Sequence, residues 1–82
     1  MPTFYFHLHN DVDARDEEGR EFPSLEAALE VARHNARFTF AETLKDDGHA
    51  NLDHRIDIED QNRRVLATVR FRDVVTIDGQ AA

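Results

Sequence analysis

The chain opens on a strict alternation. Phe4, Phe6 and Leu8 share one parity, and Tyr5, His7 and His9 share the other. Side chains on a strand change face at every residue, so a strand here has one apolar face and one face carrying a phenol and two imidazoles. The next residues, 10–20, are polar and include Gly19, which marks a turn region. Glu21-Phe22 predicts a short return strand stopped by Pro23. Proline fixes its own φ and biases the residue before it towards extended backbone.

From Leu25 the period becomes helical. Leu25, Leu29, Ala32, Ala36 and Phe40 recur at spacings of three and four, with Ala28, Thr43 and Leu44 at the edges of the stripe. Ser24 is a suitable N-cap, and Glu26 places a negative charge near the positive end of the helix dipole. Gly48 suits the left-handed residue that closes a helix, so the last turn is expected near Lys45 or Asp46. Two more alternating segments follow. In His54–Glu59 the isoleucines alternate with charge, and in Val65–Arg72 the odd positions are apolar. The turn-like Asp60–Arg63 joins them as a hairpin. Val74, Val75 and Ile77 predict either a helical turn or an extended stretch on the core, with residues 79–82 fraying.

These elements give an α+β fold of ββαββ order. The simplest arrangement is an antiparallel sheet of three to four strands, ordered 2-1-3-4, with one long helix on one face. Residues 1–78 are read as a single domain. The expected core is Phe4, Phe6, Leu8, the helix stripe, Ile56, Ile58, Val65, Ala67, Val69 and Phe71. There is also an internal echo. The segments starting at Asp16 and at Asp60 both run acid, polar turn, arginine, apolar. Shared turn chemistry explains this without a duplication.

Several of these stretches carry a family resemblance. They are Phe4-Tyr5-Phe6-His7-Leu8, the Asp16-Glu17-Glu18-Gly19 turn, Phe22-Pro23-Ser24-Leu25-Glu26-Ala27-Ala28 and the hairpin ending at Phe71-Arg72-Asp73. Together they resemble a family of small bacterial proteins known only as a domain of unknown function. That resemblance implies no activity, cofactor or site residues. The passage from a first strand through an acidic turn and a proline into Leu25-Glu26-Ala27-Ala28-Leu29 is also similar to HicB-type antitoxins. The extra strand expected there between turn and helix is missing, and no DNA-binding extension is expected after the domain.

Composition narrows the function classes. The 82 residues carry a formal charge of −7 and no cysteine. No thiolate metal site or disulfide framework is available. The Met1-Pro2-Thr3 start has no basic region, and the apolar run after it is short, so neither a signal peptide nor a membrane span is expected. A cytoplasmic location follows. Nucleic-acid binding needs a concentrated basic face, whereas Arg63-Arg64 and Arg70 with Arg72 lie among acids.

His7, His9 and Asp11 share parity and are the candidate metal ligands, for zinc or iron with open positions left to water. The competing expectation is a solvent-facing strand surface on which the histidines pair with Asp57 and Glu59 of a neighbouring strand. The acidic turn fails the calcium-loop template. Counted from Asp11, Asp16 stands where glycine is required and Phe22 where glutamate is required. His34, His49 and His54 are scattered, and no nucleophile elbow or phosphate-cradling loop is present. On the helix, Val31 and Phe38 are expected away from the core stripe with Ala27 and Ala41 nearby, forming a candidate interface.

The sum predicts a non-enzymatic cytoplasmic interaction module. It would be a homo-oligomer, with room for a further protein partner, and would have no catalytic residues, no cofactor and no nucleic-acid or membrane partner. One alternative is a small metal-dependent protein using His7 and His9. Another is a HicB-like antitoxin binding a basic toxin.

Overall fold

The computed structural model describes residues 2–9 and 16–78. Its elements are β1 (Thr3–His9), β2 (Arg20–Glu21), α1 (Leu25–Asp47), β3 (Arg55–Glu59) and β4 (Val65–Arg70), followed by a 3₁₀ turn at Phe71–Asp73. Among the described residues the strands form one sheet ordered β2-β1-β3-β4, with every neighbouring pair antiparallel. This is the α+β fold and strand order expected from the sequence. No described helix is long and apolar enough to cross a membrane.

The helix starts and stops where its sequence directs. Ser24 is extended, and its hydroxyl accepts from the Ala27 N–H at 3.2 Å. Gly48 adopts φ 66° and donates its N–H to the Leu44 carbonyl at 2.8 Å. The last turn runs to Asp47, slightly beyond Lys45 or Asp46. Ala28, Ala32 and Ala36 are wholly buried. Such small side chains let the helix approach the sheet closely, so the bulk of the core comes from elsewhere. It comes from Phe4, Phe22, Phe40, Ile56, Ile58, Val69 and Phe71. Burying each of these contributes about 1.5–3 kcal/mol.

Several boundaries and core assignments differ from expectation. Ala28, placed at the edge of the helix stripe, lies in its centre, while Leu25 and Leu29 are only partly buried. β2 ends at Glu21, which frees Phe22 to turn inward and stack on Phe6 with ring centroids 5.7 Å apart. β4 stops at Arg70, and Phe71 leaves the strand to plug the core from the 3₁₀ turn. Its ring meets Phe40 edge-on at 6.1 Å. Val65 is 49% exposed, because a bulge opposite Ile58/Glu59 shifts the register of β4. Past the 3₁₀ turn, Val74 and Val75 pack on the core while Ile77 stays exposed. Arg37 Nε holds the Val74 carbonyl at 2.8 Å.

The helix lies over β3, β4 and the 3₁₀ turn. That placement leaves Phe6 and Leu8 of β1 half-buried at its flank rather than fully in the core. Residues 79–82, expected to fray, fall outside the described residues.

Candidate functional site

The two faces of β1 organise two different surfaces. The outward face is polar and closed on itself. In register, His7 is opposite Asp57 and His9 is opposite Arg55. The side-chain contacts run diagonally instead. His9 Nε2 lies 2.9 Å from Asp57 Oδ2, and His7 Nδ1 lies 3.4 Å from Glu59 Oε2. Both contacts step two residues along β3 in the same direction, a reach long side chains manage on a twisted sheet. The imidazole rings stand side by side, with centroids 4.1 Å apart.

Asp57 and Glu59 are buried, although they are charged and point away from the core. Their partners are the cause. Asp57 accepts from the Thr68 hydroxyl at 2.8 Å and meets Arg55 Nε at 3.5 Å. Glu59 faces Arg63 Nη1 at 3.4 Å. Arg63 in turn lies 4.1 Å above the Tyr5 ring and donates to the Asp16 carbonyl at 3.0 Å. Among the described residues no buried side-chain nitrogen or oxygen lacks a hydrogen-bond partner. Burying a carboxylate is tolerated only when its lone pairs are met this way.

Asp16 closes the same surface at its edge. Its carboxylate takes N–H groups from Phe6, Glu18 and Gly19 at 3.1–3.2 Å, filling the pairing position ahead of the start of β2. Partial burial pushes this carboxyl up. The N–H groups of Gly19, Phe6 and Glu18, with the Arg63 charge, outweigh that and hold it below the ordinary aspartate value of 3.8.

The echo noted in the sequence is a real turn equivalence. Asp16 caps the N–H groups two and three residues on, and Gly19, three on, has φ 72°. Asp60 caps the N–H groups of Asn62 and Arg64, and Arg63, three on, has φ 63°. Arg63 therefore occupies the left-handed slot that glycine fills in the first turn. Such a conformation costs a side-chain-bearing residue about 1–2 kcal/mol. The contacts of its guanidinium offset that cost.

The inward face is different. An open groove of about 300 Å³ runs between β1 and the helix, lined by Phe6, Leu8, Asn35, Phe38, Thr39 and Ile56. Phe38 forms its rim and is 62% exposed. Ala41 is also exposed, but Ala27 and Val31 are partly buried against the core. The expected patch of Val31, Phe38, Ala27 and Ala41 is thus split. The buried stripe Ala28, Ala32, Ala36 and Phe40 steps by four residues against a 3.6-residue turn, so it drifts around the helix, lying close to Ala27 and Val31 at its start and away from Phe38 further on. The apolar continuation of Phe38 runs across to β1 instead.

The domain of unknown function DUF6894 has a family model that matches residues 3–72 of this chain, from the first residue of β1 into the 3₁₀ turn. The chain belongs to the DUF6894 family. Comparisons with curated proteins and with solved structures gave no match. The HicB similarity therefore gains no support from them.

In this DUF6894 chain the sequence-derived candidates divide as follows. His7 and His9 are brought together, but each faces a carboxylate of β3. Among the described residues no group of three or more His, Asp or Glu side chains converges as a metal site. Asp11, the third candidate ligand, lies outside the described residues. Arg63 was missed as the hub of the polar face. The signal for it was present, since it stands at the Gly19 position of the echo.

Proposed function

We propose that the chain is a non-enzymatic, cytoplasmic protein-interaction module that self-associates, and that its contact surface is the face around Phe38. The observation carrying this is the exposed Phe38 ring at the rim of an apolar groove. A large apolar side chain left in water beside a concave apolar surface marks an interface. Further support comes from the separation of chemistries. The titratable side chains His7, His9, Asp57 and Glu59 satisfy one another on the opposite sheet face, and the groove offers no acid, base or nucleophilic pair to a substrate. The small size of the domain adds to this, since an 82-residue chain buries limited surface alone. The acidic, cysteine-free composition fits a cytoplasmic setting.

Sedimentation equilibrium from micromolar to millimolar protein tests the reading. An apparent mass rising with concentration is expected. A constant monomer mass over the whole range would sink it.

A further inference from the structure

We infer that the occupant of the groove is a second copy of this chain, placed by a two-fold axis beside Phe38 so that each Phe38 ring covers the other copy's Phe6 and Leu8. This rests on the self-association proposed above and specifies its geometry. Phe38 projects at the rim of the hollow it helps to line. Projection and hollow therefore share one face. A two-fold rotation is the operation that seats each projection in the partner's hollow, because an isologous interface uses the same patch twice.

Charge selects the same place and the same occupant. Each chain carries −7, so two copies repel wherever acidic surfaces meet. No charged side chain lines this groove. Two further hollows among the described residues include charged side chains, Asp60 in one and Glu26, Glu30 and Arg33 in the other. A basic partner would be drawn to the acidic surfaces and gain no ion pair here. An uncharged seat is what an equally acidic copy requires. Asn35 and Thr39 lie one helical turn apart in the lining. They supply neutral donors and acceptors that can pair across the axis, and a polar amide within an apolar contact fixes its register.

The size of the contact sets its strength. Two aromatic rings bury at most about 150–250 Å² each. Even with the groove walls added, the total stays below the roughly 1,200 Å² of a standard stable interface. The dimer is therefore weak and dissociates on dilution.

Because the natural chain has no cysteine, one introduced thiol per copy reports the geometry. Asn35→Cys is treated with a short bismaleimide, and Leu66→Cys on the exposed surface of β4 serves as the comparison. Efficient cross-linking is expected at position 35 and not at position 66. Adding Phe38→Ser should lower that yield about tenfold or more, the loss expected of a central aromatic anchor. A thermal melt of Phe38→Ser checks that the variant is folded. If the chain dimerises but cross-links through Leu66→Cys instead, or if the position 35 yield ignores Phe38→Ser, the two-fold seat is wrong while self-association stands. If the wild-type chain sediments as a monomer at every concentration, both fall.

Discussion

Of the two described glycines, Gly19 is the one where an added methyl group should damage this fold more. A Cβ placed there would lie 2.7 Å from both Thr3 Cγ2 and Tyr5 Cε2, and 2.9 Å from Tyr5 Cζ. The backbone is also left-handed, with φ +72°. Gly48 provides the internal control, having φ +66° but no atom within 4 Å of its added Cβ. The conformational penalty is about 1–2 kcal/mol for alanine at either site. The stiffer unfolded chain returns about 0.4–1 kcal/mol of it. Gly48→Ala should thus lose about 1 kcal/mol. Gly19→Ala adds an overpacking term of about 1–3 kcal/mol. Tyr5 cannot yield freely, because the Arg63 guanidinium lies 4.1 Å above its ring. The expected total for Gly19→Ala is about 2–4 kcal/mol, a large share of the stability of a domain this size. Urea unfolding followed by circular dichroism measures both variants on one scale. Equal losses for the two would refute the claim that Tyr5 and Thr3 pack against this glycine.

Further expectations follow from the same contacts. Arg63→Gly should be more stable than Arg63→Ala by about 1 kcal/mol in urea melts, since only glycine relieves the left-handed strain, and both should fall below wild type. Asp16 has a lowered pKa in the folded state, so its contribution is present above the unfolded value and is lost as pH falls through the folded one. Asp16→Asn should therefore flatten part of the acid limb of a stability-versus-pH curve below about pH 4, and an unchanged limb would count against it. Ser24→Ala removes the N-cap acceptor and should cost about 1 kcal/mol in a thermal melt. His9→Ala strips a partner from buried Asp57 and should cost about 1 kcal/mol, whereas Phe38→Ser should change monomer stability by less than about 0.5 kcal/mol.

Legibility in the sequence followed how local each signal was. Ser24 and Gly48 declare the helix ends through their own side chain or lack of one, and the helix lies between them. Parity and strand order put His7 and His9 on a face with Asp57 and Glu59, and the contacts are there. Non-local geometry was not readable. Val65 obeys the alternation of its segment, yet the bulge turns it out to 49% exposure. Phe71 also obeys it, yet reaches the core from a 3₁₀ turn rather than a strand. Ala27 and Val31 lie against the core margin because the buried stripe, recurring every four residues, drifts around a helix of 3.6 residues per turn.

The fold explains some residues and leaves others without a structural reason. His9 and Thr68 share the buried carboxylate of Asp57, and His7 and Arg63 share that of Glu59. Their presence is accounted for by stability, and a ligand-binding role would have to break contacts that hold the sheet face together. Phe38 is the opposite case. Removing its ring from the monomer exposes little and opens no cavity, because the ring is already 62% in water. A phenylalanine at that position lowers solubility and adds almost nothing to folding. The half-covered Phe6 and Leu8 lie across the groove from it, on a strand whose other face is fully satisfied. Surface that folding leaves unfinished is where a partner gains most by binding, and this supports the proposed contact on the inward flank of β1.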